Sequence, residues 1–210
     1  MNSKKTMTSG SPNSGQLWQQ LAEQIEGKLV SSLLSSPKME KQYREWVIVL
    51  DMTSNTGNPL GSLSATKILR VRAPFIRKDE MQFKVYRKTF WSKIGLCLGR
   101  QHLDTGSPEF DRDFIVRGNM KDQLVQLFQS PRIRGIIARQ SEFFLEARGA
   151  GFLEGLSPNV NILDYRTLAL PKTVSNIQFL AELFDLFEAI LDQLVLIGSA
   201  KKEAPKGIFD

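Results

Sequence analysis

The sequence predicts an α+β fold, with a mainly antiparallel sheet of about five to six strands flanked by an N-terminal and a long C-terminal amphipathic helix. Three observations predict it. Apolar residues recur at helical spacing near both ends of the chain, and between them they alternate with period two. Clusters of Gly, Asn, Ser and Pro separate the alternating runs, as expected of turns and short connections. The strand patterns are grouped together rather than alternating one for one with helices, which favours α+β over a parallel α/β sheet.

Residues 1–14 are Ser, Thr, Asn, Gly and Lys with few apolar groups, and read as a flexible tail. From Gln16 to Leu34, Leu17, Trp18, Leu21, Ile25, Leu29 and Leu33 recur at helical spacing, predicting one long helix ended by Ser35-Ser36-Pro37. Arg44 to Met52 alternates, with Trp46, Ile48, Leu50 and Met52 on one face. Val47 and Val49 on the other predict partial cover on both sides. Leu69, Val71, Ala73 and Phe75 mark a second strand, and Met81, Phe83 and Val85 a third. The charged stretch from Ile76 to Glu80 predicts that these two form a hairpin. Phe90 to Leu98 is a candidate short helix, weakened by Gly95.

From Phe110 to Arg117, Phe110, Phe114 and Val116 share one pleated face, opposite Asp111, Asp113 and Arg117, and Gly118 ends the strand. Asn119 is positioned to cap a helix. Ser130-Pro131 is positioned to start another, Ser as cap and Pro at the first helical position. Glu142 to Arg148 and Asn161 to Leu170 read as strands joined by a loop containing Gly149, Gly151 and Gly155. The last helix, Thr173 to Ile197, buries Ile177, Leu180, Phe184, Phe187, Leu191 and Leu194, and leaves Glu182, Asp185 and Asp192 on a solvated stripe. Residues 15–198 thus read as a single domain, and 199–210 as a second flexible tail.

The net charge of +6 is unevenly placed: residues 1–40 carry +1, 41–99 carry +7, 100–150 carry +1 and 151–210 carry −3. A local basic region points to an anionic partner better than a high isoelectric point does. No apolar run suits a bilayer span, because Glu182, Asp185, Glu188 and Asp192 break the most apolar segment. The first residues lack the hydrophobic stretch of a signal peptide. One cysteine, Cys97, fits a reducing compartment, so the expected location is cytoplasmic.

Candidate chemistry is sparse. Asp104-Thr105-Gly106-Ser107 resembles the loop of aspartic proteases, in which two aspartates share a proton. Its flanks, Gln101-His102 and Pro108-Glu109, suit a turn better than the buried strand of that family. The lone His102 and Cys97 leave no Cys pair or second His for a zinc site and no evident catalytic dyad. Gly95 and Gly99 lack the Lys-Ser/Thr of a phosphate-binding loop. No metal site and no cofactor are expected. The predicted hairpin offers more: Arg70 and Arg72 on one strand, Lys84, Tyr86 and Lys88 on the other, and Arg77 and Lys78 at the tip. Together these would form a basic surface around an aromatic ring that suits phosphates. A solvated sheet face, matched to the acidic stripe of the last helix, is the ordinary alternative.

Phe110-Asp111-x-x-Phe114-Ile115-Val116-x-Gly118-Asn119, followed by a helix and by Pro131-x-Ile133-Arg134, is similar to the recurring pattern of an uncharacterised bacterial domain family. An acidic, Gly-containing turn precedes the Phe-Asp pair in that pattern, which Asp104-Thr105-Gly106 matches. The resemblance covers residues 100–148 and implies no catalytic residues. The sequence thus favours a non-catalytic binding or interaction module, contacting an anionic partner (phosphate-bearing lipid, nucleic acid or acidic protein) through the basic hairpin. Sequence-specific reading of nucleic acid has no support. The alternative is a carboxylate-dependent hydrolase using Asp104, Asp111 and Asp113.

Overall fold

Helix α1 (Ser14–Ile25) ends well before the expected Leu34, because the chain turns sharply at Glu26, whose φ is 55°. At Gly27 a Cβ would stand 2.9 Å from the Glu40 carbonyl oxygen, so the backbone passes too close to its neighbour for any side chain. Leu29 therefore lies on a strand, β1 (Lys28–Ser32), rather than on the helix. The computed structural model describes residues 14–32, 35–55, 66–88, 103–150 and 158–205. Cys97, His102, Gly95, Gly99, Gly151, Gly155 and the candidate helix at 90–98 lie outside these, as do residues 1–13 and 206–210.

Strand β2 (Ser35–Tyr43) follows, and then β3 (Trp46–Asn55), joined by the two residues Arg44-Glu45, with Arg44 at a φ of 50°. β4 (Thr66–Ile76) continues the antiparallel series. The next strand, β5 (Phe83–Arg87), breaks it. It does not pair with β4: the order across the sheet is β1-β2-β3-β4-β8-β7-β5-β6, where β6 is Phe114–Gly118, β7 Phe144–Gly149 and β8 Val160–Leu168. Two strands lie between the supposed partners of the hairpin. The segment Arg77–Gln82 instead crosses an end of the sheet, with Arg77 N–H donating to the Asn159 carbonyl at 2.9 Å and Lys78 N–H to that of Ser199 at 2.9 Å. Among the described residues all pairings are antiparallel, and the sheet has eight strands rather than five to six.

The Phe110–Arg117 run divides between two structures. Pro108–Asp113 is a short helix, α2, with Pro108 in its first turn, and the strand starts only at Phe114. A spacing of four residues keeps side chains on one side in either a helix or a strand. Phe110 and Phe114 accordingly stack at 4.8 Å although each belongs to a different element. Asn119 caps no helix. Its side chain accepts from Gln82 N–H at 2.9 Å and donates to the Glu80 carbonyl at 2.6 Å, while helix α3 (Lys121–Phe128) has Met120 at its cap. Helix α4 (Pro131–Ala138) starts at Ser130-Pro131, with Ser130 Oγ accepting from Ile133 N–H.

After β8, the turn α5 (Pro171–Val174) leads to α6 (Ile177–Leu196), capped by Asn176, whose side chain accepts from Phe179 N–H at 3.0 Å. Helix α6 is buried on most of its circumference because α1, α3 and α4 flank it while the sheet lies beneath. One core unites α6, the other helices and a single face of the sheet: Leu183, Phe184 and Phe187 join Leu21, Ile48, Val71, Phe83, Leu145 and Tyr165. No described helix is long and apolar enough to cross a membrane. The chain after α6 is not loose at once. Gly198 turns with a φ of 81°, Ser199 is 2 % exposed and donates to Asp79 Oδ2 at 2.7 Å, and Lys201 N–H donates to the Ile76 carbonyl.

Candidate functional site

A strand exposes alternate residues to opposite faces, so burying one face under helices dedicates the other to whatever remains. The remaining face carries a lattice of charge. In one row, register sets Val49, Arg72, Asp164, Glu146, Lys84 and Arg117 side by side across β3, β4, β8, β7, β5 and β6. In the adjacent row stand Asp51, Arg70, Arg166, Phe144, Tyr86 and Ile115. Arg148 extends the face beside Ile162. Six basic side chains from this set confront three carboxylates, an excess of positive charge.

The ion pairs are graded from one side to the other. Asp51 accepts from Arg70 through both oxygens, at 3.0 and 2.9 Å, and also from Arg72 at 3.0 Å. Asp164 is 1 % exposed and accepts from Arg166 at 2.5 and 3.2 Å. That hydrogen bond is the main cause holding the Arg166 guanidinium above its ordinary pKa. Glu146, also buried, meets Arg166 at 3.3 Å, Arg148 at 3.5 Å and Lys84 at 3.7 Å. Pairing is tight at β3–β4 and long at β7–β5. Tyr86 stacks on Phe144 at 6.3 Å and is buried, and Lys84 Nζ lies 5.9 Å from the Phe144 ring centre.

Of the predicted anion-binding residues, Arg70, Arg72, Lys84 and Tyr86 thus share a face, brought together by a sheet in which β8 and β7 intervene. Arg77 pairs instead with Glu80, Lys78 lies exposed at the crossing segment, and Lys88 Nζ donates to the Asp111 carbonyl at 2.7 Å. Sequence reading missed Arg117, Arg148, Arg166, Glu146, Asp164 and Asp51. Their period-two spacing within strands (Asp164 with Arg166, Glu146 with Arg148) was available as a signal, but not the order of the strands. The acidic stripe of α6 does not cover this face. Glu182 pairs with Arg139, Asp185 with Arg132, Glu188 with Lys41, and Asp192 with Arg44 and the Tyr43 hydroxyl, all on the helix side.

At the β5–β6–β7 end, the face opens into a groove of about 320 Å³ lined by Lys84, Arg117, Arg148, Gln82, Asn119 and Glu80, among others. Gly118 makes this corner possible: a Cβ there would lie 2.4 Å from the Gln82 carbonyl oxygen and 2.5 Å from Leu124.

The three aspartates have structural partners. Asp111 accepts from the Thr105 N–H at 3.0 Å and from the Thr105 hydroxyl at 2.8 Å. Asp104 accepts from Gly106 N–H at 2.8 Å, which sets the turn in which Gly106 has a φ of 78°. Asp113 pairs with Arg112, whose hydrogen bond lowers its pKa, and lies near Arg87. Of the three only Asp113 lines the nearby groove beside Phe110 and Arg134, so Asp-Thr-Gly-Ser serves here as a turn. Among the described residues no group of three His, Cys, Asp or Glu side chains is placed to hold a metal.

No protein-family model matches the chain, and no curated protein matches it. Among solved structures, the chain is similar to the mycobacterial trehalose monomycolate transport factor A, TtfA, with a TM-score of 0.43 and 11 % identity over 93 % of this chain and 99 % of that one.

Proposed function

We propose that the protein is a non-catalytic binding module that holds an anionic, phosphate-bearing partner against the outer face of its sheet. One observation carries the reading: six basic side chains against three carboxylates on the sheet face opposite the helices, with Tyr86 and Phe144 between them. Charges held on a rigid sheet need little reordering on binding, which favours association. A face with excess positive charge also steers an anionic partner by a field that salt screens.

The test is binding of the full chain to vesicles containing anionic lipid, and to a mixed-sequence oligonucleotide, across a salt series. Arg70→Gln with Lys84→Gln is expected to weaken binding and flatten its salt dependence, while the unfolding midpoint stays close to that of the parent. Unchanged binding by the double variant to every anionic probe would overturn the reading.

A further inference from the structure

We infer that the groove between α2 and α4, on the helix side of the sheet, binds a small zwitterion of the α-amino-acid class. Arg134 and Glu109 hold it, independently of the outer face. The groove has a volume of about 340 Å³, at the small end of ligand sites. Phe110 of α2 and Phe114 at the start of β6 give it an apolar wall, and Arg134 and Gly135 line it from α4.

Four charged side chains line the groove, and two of them neutralise each other. Arg112 Nε donates to Asp113 at 3.1 Å, and Arg87 lies 3.9 Å from the same carboxylate. Arg134 and Glu109 are left. The Arg134 guanidinium is partly buried, yet it makes no hydrogen bond, ion pair or ring contact among the described residues. Glu109 is exposed and acts on Arg112 only through its field. The two line one groove without pairing with each other. An idle cation and an idle carboxylate match a molecule that carries both charges. A simple anion would be drawn to Arg134 but repelled by Glu109 and Asp113, and a simple cation the reverse.

Gly135 is the second observation. It stands inside α4 with ordinary helical backbone, where Gly is less stable than Ala because it loses more conformational freedom on folding. A Cβ there would meet only the Arg139 guanidinium, at 4.0 Å, which is ordinary contact. Packing among the described residues therefore does not require the missing side chain. A ligand lying against the helix backbone does. In that pose the guanidinium fork of Arg134 takes the carboxylate, Glu109 accepts from the ammonium, and the ligand's apolar side chain meets Phe110 and Phe114.

The experiment titrates the full chain with alanine, with phenylalanine, and with two phenylalanine analogues that each lack one charge. Hydrocinnamate lacks the ammonium and phenethylamine lacks the carboxylate. The backbone amides of Glu109, Arg134, Gly135 and Ala138 are followed by NMR. Saturable shifts confined to the groove are expected with an amino acid, and phenylalanine should bind roughly tenfold more tightly than either analogue. Arg134→Gln and Glu109→Gln should each weaken phenylalanine binding roughly tenfold to a hundredfold, the loss of one charge-assisted hydrogen bond. Arg134→Gln should also abolish the preference over phenethylamine, and Glu109→Gln the preference over hydrocinnamate.

Gly135→Ala should raise the unfolding midpoint and yet weaken binding, a pair of effects that a purely structural glycine would not show. Arg70→Gln with Lys84→Gln should leave phenylalanine binding unchanged, so failure of this groove and failure of the outer face are read separately. No saturable shift with either amino acid, or phenylalanine bound no more tightly than one of its analogues, would overturn the inference. So would binding that survives both Arg134→Gln and Gly135→Ala undiminished.

Discussion

The two faces of one sheet divide this molecule. On the helix side, Ile48, Val71, Phe83, Leu145 and Tyr165 meet α6 in a core with almost no solvent access, and the acidic groups of α6 lie at its margins, each with a basic partner. On the outer side the same strands present arginines, lysines and carboxylates whose side chains range from Asp164 at 1 % exposure to Lys84 at 57 %. The first face stabilises by removing apolar area from water, an effect that does not depend on the sign of any charge. The second is held by ion pairs whose carboxylates are mostly buried, so its contribution depends on each charge keeping its partner.

If the helix side is the source of stability, Phe187→Ala should produce the largest loss. About 3–5 kcal/mol is expected in denaturant unfolding, because a fully buried ring leaves a cavity. Asp164→Ala probes the contrast from the other side. This carboxylate lies on the charged face yet is almost inaccessible, and its removal should cost roughly 1–3 kcal/mol by stripping Arg166 of its main partner. Gly118→Ala should cost about 1–3 kcal/mol by forcing the end of β6 away from Gln82 and Leu124.

Alkali should act through the helix side. Burial raises the Tyr165 hydroxyl far above its usual value, and burial followed by the Asp192 hydrogen bond raises that of Tyr43. A folded-state pKa above the unfolded one means that the unfolded chain releases protons first. Stability is therefore fully present below about pH 10 and declines above it, by at most about 1.4 kcal/mol per pH unit for each such tyrosine. Tyr165→Phe should flatten that decline in pH-dependent unfolding, even though it also removes the hydroxyl that donates to Gln140 Oε1. The smallest effect is expected on the outer face itself: Arg70→Gln should shift stability by less than about 1 kcal/mol, since Arg72 still neutralises Asp51. A loss of several kcal/mol from that change would make the charged face structural and erase the contrast.

Several elements are legible in the amino-acid sequence alone. The alternation of Trp46, Ile48 and Leu50 and that of Leu69, Val71, Ala73 and Phe75 assign strand and buried face, and both are observed. Ser130-Pro131 starts a helix, and the stripe of Leu180, Phe184, Phe187, Leu191 and Leu194 is buried on α6. Where local pattern misleads, the reasons are physical. The stripe running on through Leu29 could not reveal the turn at Glu26, nor that Gly27 passes close to the Glu40 carbonyl as the chain enters β1. Phe110 and Phe114 fit a strand and a helix equally, because four residues bring a side chain back to the same side in both. Asn119 has the chemistry of a cap, but the nearby Gln82 N–H and Glu80 carbonyl take its side chain.

On the charged face, the order of residues along each strand was enough to establish which of them stand opposite the core. Side-chain alternation is a local property of a strand, and so Arg70, Arg72, Lys84 and Tyr86 had to share the character of an outer face. What stands between them was settled by the assembled sheet. Strand order depends on pairings between distant segments, here β4 with β8 and β7 with β5, and those insert Asp164, Arg166, Glu146 and Arg148 where a simple hairpin would have left cations alone. Local pattern sets the face of a side chain, whereas long-range register sets its neighbours.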